Sequence, residues 1–293
     1  MRPRRARIAF IAVALALALA APASASTTHY YLSLGDSLAQ GMQPNAAGIT
    51  VNTNQGYADQ LYAIERRRIH HLKLVKLGCG GETTTSFLTG KGNAGDAFLL
   101  GCHPAGGSQM AAAERFLHRH PRRGEVSLVT IDIGANDVDG CQQGTEIVIK
   151  CVMTGVDHLA HDVPIILRRL RAASPRTPMA AMTLYDPFLQ LYLAPGGHVE
   201  ALTSVEYSRT INRGLARLYR EAGFGVAQVD SAFHTYDTAR TAMLAGQSAR
   251  VPVDLAEVCR LTWMCAPPPV GPNIHANAAG YRLIADAFLK AFS

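Results

Sequence analysis

Five short runs along the chain are nearly all apolar and rich in Val, Leu and Ile: residues 29–34, 72–77, 126–133, 178–184 and 225–229. Runs of this kind, without the alternation of a half-buried strand, fit strands covered on both faces. Between and after them, apolar positions recur every three to four residues. In 156–173 they are Leu159, Val163, Ile166, Leu167 and Leu170; in 203–222 they are Val205, Ile211, Leu215 and Leu218; in 277–292 they are Tyr281, Leu283, Ile284, Phe288 and Leu289. With 56–68 and the alanine-rich 109–120, these segments predict helices carrying one apolar stripe each. Pro164 falls inside the third helix, where its missing N–H predicts a kink or an earlier break. Strands alternating with helices pair in parallel through right-handed crossovers. The pattern therefore predicts an α/β fold, a three-layer α/β/α sandwich around a central five-stranded parallel sheet in flavodoxin-like order. Two irregular segments, 90–108 and 235–272, carry Gly or Pro together with cysteines, and the second holds the only tryptophan, Trp263. Loops this long are usually functional or cross-linked. They read as excursions over the active edge of one domain. The sequence contains no internal repeat.

The N-terminus changes how charge is read. Arg2, Arg4, Arg5 and Arg7 precede an apolar run over 8–21, and Ala23-Ser24-Ala25 follows with small residues where a signal peptidase cuts. This predicts a secretory signal over 1–25, cut after Ala25, and a single mature domain over 26–293. The apolar run is short for a membrane span of about 20 residues, and no later stretch is a candidate. The leader holds four arginines and no acid, so without it the formal charge drops from +6 to +2. A basic stripe for nucleic acid is therefore not expected, nor is a phosphate-cradling loop present. The remaining length is enough for one full core, and a monomer is expected.

Six cysteines in an exported chain suggest three disulfides. Proximity favours Cys79–Cys102, Cys141–Cys151 and Cys259–Cys265 among the 15 possible connectivities. No C-x-x-C pair is present to suggest zinc, so neither a metal nor a cofactor is expected.

Candidate chemistry gathers where strands end. Gly35-Asp36-Ser37 follows the first strand, at the place where open α/β sheets bind ligands. A serine hydroxyl needs a base and an oxyanion hole to act as a nucleophile. Gly80-Gly81-Glu82-Thr83-Thr84 follows the second strand, where paired glycines let backbone N–H groups approach a ligand. Gly134-Ala135-Asn136-Asp137 follows the third and offers a side-chain amide. His275 lies just before the last helix, with Asn277 placed as its N-cap. Each signal has a plain structural explanation when taken singly: a turn, an Asx cap, a surface histidine. Asp36 reads as structural, since it cannot face the far nitrogen of a histidine that serves Ser37. His118, His120, His158 and His161 read as solvated.

In their order the four motifs resemble those of the SGNH (GDSL) hydrolases along essentially the whole mature length, closest to secreted actinobacterial GDSL esterases and lipases, which share the cysteine pattern. The resemblance implies that Ser37 is the nucleophile and His275 the base. It also implies an oxyanion hole made by the N–H groups of Ser37 and Gly81 and the Asn136 amide. One departure stands out. The family's usual Asp-x-x-His has Pro272 in the acid's place. A backbone carbonyl of Pro272 or Asn273 is then expected to orient His275, with Asp254 as the rival carboxylate. The implied activity is a secreted serine esterase or lipase acting on small-molecule or lipid esters through an acyl-serine. Phe188, Leu189, Leu191, Tyr192 and Leu193, after the fourth strand, are candidates for an acyl pocket and equally for ordinary core. The alternatives are a carbohydrate O-deacetylase of the same fold, or a non-catalytic cell-surface binding module with a vestigial site.

Overall fold

The computed structural model describes residues 27–91, 102, 107–244 and 248–293. The predicted signal segment 1–25 and most of the 90–108 excursion lie outside the described residues.

Five strands form the predicted parallel sheet: β1 (His29–Gly35), β2 (Leu72–Lys76), β3 (Val126–Asp132), β4 (Met179–Met182) and β5 (Gly225–Ala227). Their order is β2-β1-β3-β4-β5, every pair parallel. Tyr31 and Leu32 point to opposite faces of β1 and both are fully buried, which is why the runs lack alternation. The helices between strands are α1 (Ser37–Gln40), α2 (Tyr57–Glu65), α3 (Thr84–Thr89), α4 (Gln109–Arg119), α5 (Ile149–Ala173) and α6 (His198–Glu221). After β5 come α7 (Val229–Ala232), α8 (Val253–Leu261) and α9 (Ala278–Ala291). Helix α2 packs on α9, and α5 packs on α4 and α6, giving a layer on each side of the sheet. The strand order reverses between β1 and β3, and ligand crevices open at such switch points. Register there puts Gly35 level with Asp132, so the segments after both strands emerge side by side.

Helix α5 runs unbroken through Pro164 and begins seven residues before its predicted start. Its added first turns do not face the sheet. Val152 packs with Val138, Cys141 and Ile147 in a satellite cluster, and Cys151 is bridged to Cys141. The excursion 235–272 is also more regular than its composition suggests. It holds α8 and a hairpin of Thr241–Met243 with Arg250–Pro252. Leu255, Val258 and Leu261 bury the apolar face of α8, too short a stripe to register as a helix in a Gly- and Pro-bearing stretch. All three expected disulfides form, with Cα separations of 5.7, 5.4 and 4.9 Å. No described helix is long and apolar enough to cross a membrane.

Candidate active site

The Gly35-Asp36-Ser37 turn is held from several sides. Ser37 opens α1, and Asp36 caps it, its Oδ1 accepting the Leu38 N–H at 2.9 Å and the Ser37 hydroxyl at 3.5 Å. Beneath lies Asp132, the last residue of β3. Its Oδ2 accepts the N–H groups of Asp36 (3.3 Å) and Ala39 (3.2 Å), and its Oδ1 accepts the Tyr57 hydroxyl. Burial raises the Asp36 carboxyl to about 6 and the neighbouring Asp132 well above the usual range. Each carboxyl adds to the cost of charging the other. Gln109 brackets Gly35 from above: its amide accepts the Gly35 N–H at 2.7 Å and donates to the Gly35 carbonyl at 2.8 Å and to Glu82 at 3.0 Å. Asp36 is thus structural, as its position in the sequence suggests. Asp132 and Gln109 are supporting residues that sequence reasoning missed. An acid closing an otherwise apolar buried strand was the available signal for Asp132.

The loop after β2 packs directly on this turn. A Cβ on Gly78 would stand 2.5 Å from the Ala39 side chain and 2.9 Å from the Asp36 carbonyl, so only glycine permits the approach. Thr83 caps α3, and Thr84 donates its N–H and hydroxyl to Asp137 at 2.9 and 2.7 Å, binding this loop to the one after β3. Asn136 completes the link. Its amide donates to the Glu82 carbonyl (3.0 Å) and to Asp36 Oδ2 (3.2 Å).

His275 sits on β6 (Asn273–Ala276), which pairs antiparallel with the short strand Thr262–Trp263. The Tyr185 hydroxyl fixes β6 by donating to the Ile274 carbonyl at 2.6 Å. Residues i and i+2 of a strand share a face, which puts the Asn273 and His275 side chains together. Asn273 Oδ1 lies 2.7 Å from His275 Nδ1 and accepts the His275 backbone N–H at 3.0 Å. Its Nδ2 donates to Thr50 at 3.0 Å. The backbone N–H can only donate, so the amide atom facing it is oxygen. The same oxygen can only accept from Nδ1, so the neutral ring carries its proton on Nδ1 and leaves Nε2 an acceptor. Nε2 is buried with no hydrogen-bond partner. Burial lowers the His275 pKa to about 4.

Two expectations about the orienting group need correction. The contact to Nδ1 comes from the Asn273 side chain, not from a main-chain carbonyl of Pro272 or Asn273. The amide reaches because strand geometry aligns positions two apart, a relation visible in Asn-x-His once the segment is read as a strand. Asp254 makes no bond to His275. It lies in the first turn of α8, where its Oδ1 accepts the Leu255 N–H at 2.7 Å, and burial raises it to about 6.

Ser37, Asn136 and His275 line one cavity together with Asp139, Met182, Leu184, Tyr185, Asp186, Phe188, Tyr207 and Ile211. Gly81 is not among its lining residues. It lies exposed in the adjoining loop with φ of 78°, next to the Glu82 whose carbonyl holds Asn136. Of the five apolar residues proposed after the fourth strand, only Phe188 lines the cavity. Leu189 and Leu191 are buried in satellite clusters, and Leu193 is exposed. His120 and His161 are not simply solvated, since each bonds a neighbouring acid, Glu125 and Asp162 respectively.

A family model for the GDSL-like lipase/acylhydrolase family matches residues 33–283. The chain belongs to that family. Solved structures share its fold. Phospholipase A1 from Streptomyces albidoflavus NA297 superimposes with a TM-score of 0.57 at 18% identity, covering 91% of this chain and 100% of that one. An extracellular lipase from Streptomyces rimosus gives 0.55 at 17%, covering 90% and 100%. An acetylxylan esterase from Geobacillus stearothermophilus gives 0.52 at 15%, covering 90% and 94%. At these identities the likeness is one of fold. A comparison with functionally curated proteins returned no match.

Proposed function

We propose that this GDSL hydrolase is an exported serine esterase that cleaves carboxylic esters through an acyl-serine. The observation that carries the reading is the placement of Ser37 and His275 on one cavity, with Nδ1 occupied and Nε2 buried and unpartnered. The Ser37 hydroxyl leaves its long contact with Asp36 for Nε2, since such bonds tighten only around substrate. Its oxygen attacks the ester carbonyl while Nε2 takes its proton. That proton passes to the leaving alcohol, giving acyl-Ser37. Water, deprotonated by His275, then releases the acid and restores the serine. The oxyanion is received by the N–H groups of Ser37 and Gly81 and by Asn136. Both hydrogens of that amide have partners, so donation to the oxyanion exchanges the longer bond, to Asp36. Three disulfides and the 1–25 leader support export, because such bridges persist in oxidising compartments.

Labelling with a fluorophosphonate probe tests the reading. Wild type is expected to label at Ser37 and Ser37→Ala to remain unlabelled. A folded wild-type protein that never labels would instead favour a binding module. Asn136→Ala is expected to lower kcat about 10²–10³-fold, the usual loss of one oxyanion donor. A loss below threefold would remove Asn136 from the oxyanion hole.

The acid side of the pH profile follows from the histidine's surroundings. Only neutral imidazole accepts the serine proton, and His275 stays neutral down to about pH 4. The acid limb of kcat/KM is therefore expected near 4, below the ordinary histidine value. Asn273→Asp would place a carboxylate on Nδ1, stabilise the imidazolium and move the limb upward by about one unit or more. An unmoved limb in that variant would show that Asn273 does not set the basicity of His275.

A further inference from the structure

The cavity combines two chemistries that Ser37 and His275 do not use. Its described lining contains Asp36, Asp139 and Asp186 but no lysine or arginine. Asp36 is committed to the Ser37 turn. The other two are not fully committed. Asp186 caps the short helix Pro187–Leu193 through one oxygen, which accepts the Phe188 N–H at 3.0 Å. It is 3% exposed, and its Oδ2 has no hydrogen-bond partner. Asp139 lies just after β3 on a turn pinned to α5 by Cys141–Cys151. No described residue donates to its carboxyl, and nearby acids add to the cost that burial places on its charge. Acids left without a cation in a cavity are costly. They are retained where a ligand supplies the missing charge. The second chemistry is aromatic: Tyr185, Tyr207 and Phe188 line the same space. Acids together with aromatic side chains, and no lysine or arginine to compete, suit recognition of an ammonium group.

We infer that this cavity takes esters bearing an ammonium group, with Asp139 as the residue that selects for the positive charge and Asp186 assisting. The inference rests on the esterase reading for its substrate, but not for the binding itself. A cation beside Asp139 pairs a carboxyl that otherwise has no partner. A fixed anion on the substrate would meet three acids and no lysine or arginine among the described lining residues.

Two esters of nearly the same shape separate charge from size: choline acetate and 3,3-dimethylbutyl acetate. In the wild-type protein kcat/KM is expected to favour choline acetate at least tenfold. In Asp139→Asn that ratio is expected to fall at least fivefold. Asp186→Asn keeps an acceptor for the Phe188 N–H and serves as the second variant, with a smaller fall in the same ratio. Turnover of both wild-type esters at a ratio of one or less would overturn the inference while leaving the esterase reading intact. Where neither ester is hydrolysed, calorimetry on Ser37→Ala decides the matter without turnover. Tighter binding of choline than of 3,3-dimethylbutanol supports the cation site, and equal or weaker binding overturns it. Absence of fluorophosphonate labelling is the separate sign that the esterase reading has failed.

Discussion

His275→Ala is expected to lower kcat by about 10⁴–10⁶-fold, the range found when the base of a serine hydrolase is removed. The size of the loss follows from the absence of any substitute. Nε2 is the only acceptor on the His275 ring once Nδ1 is bonded to Asn273. Of the cavity's acids, Asp36 is tied into the turn at Ser37, and neither Asp139 nor Asp186 has a hydrogen bond to the Ser37 hydroxyl. The matching measurement is Asp254→Asn, because an acid from the same excursion is the rival orienting group. With the amide of Asn273 already on Nδ1, Asp254→Asn is expected to keep kcat within about threefold of wild type. A loss close to that of His275→Ala would make Asp254 a member of the machinery and displace Asn273. Circular dichroism on both variants separates a chemical loss from a folding one.

Gly35→Ala is expected to cost stability on a scale that few single substitutions reach. The residue has φ of 132°, and a Cβ there would stand 2.0 Å from the Asp132 carbonyl oxygen and 2.4 Å from its carboxylate. The first of these is backbone in the next strand, so it cannot swing aside. Backbone strain of about 1–3 kcal/mol adds to a clash that must push β1 and β3 apart. The total is expected to exceed about 4 kcal/mol, lowering Tm by roughly 10 °C or more in a chain of this size. Activity should fall in the surviving folded fraction too, because the same separation moves Ser37 away from Asn136. A Tm within about 2 °C of wild type would mean that the contact between these strand ends is not as tight as described.

Much of this was legible beforehand because buried parallel strands announce themselves. The five apolar runs match the five strands to within a few residues, and Ser37 and Asn136 fall shortly after two of them stop. Asn277 caps α9 as its position suggested, accepting the N–H groups of Ala279 and Gly280. What escaped was tertiary. The early start of α5 rests on a satellite cluster in which Val152 packs with Val138, Cys141 and Ile147. Helix α8 has a single short apolar face, hidden in a stretch whose prolines and glycines suggested a loop. With proline three positions before His275, the sequence offers a main-chain carbonyl or Asp254 as the orienting group. Asn273, one residue nearer, supplies a side chain instead. Motif order groups Gly81 with Ser37 and Asn136; it lies in the loop beside the cavity, next to the Glu82 whose carbonyl holds Asn136.

The Asn273–His275 pairing also bears on how the site assembles. Two positions on one short strand meet at almost no loop-closure cost, whereas a carboxylate from a distant helix would have to be brought in across a long loop. The ring's tautomer is therefore settled by local chain geometry as soon as β6 is extended. The long-range alignment left to be made is between that strand and the segments after β1 and β3 that carry Ser37 and Asn136. The machinery behaves as two prefabricated halves, and errors elsewhere in the fold can change the gap between them without scrambling either one.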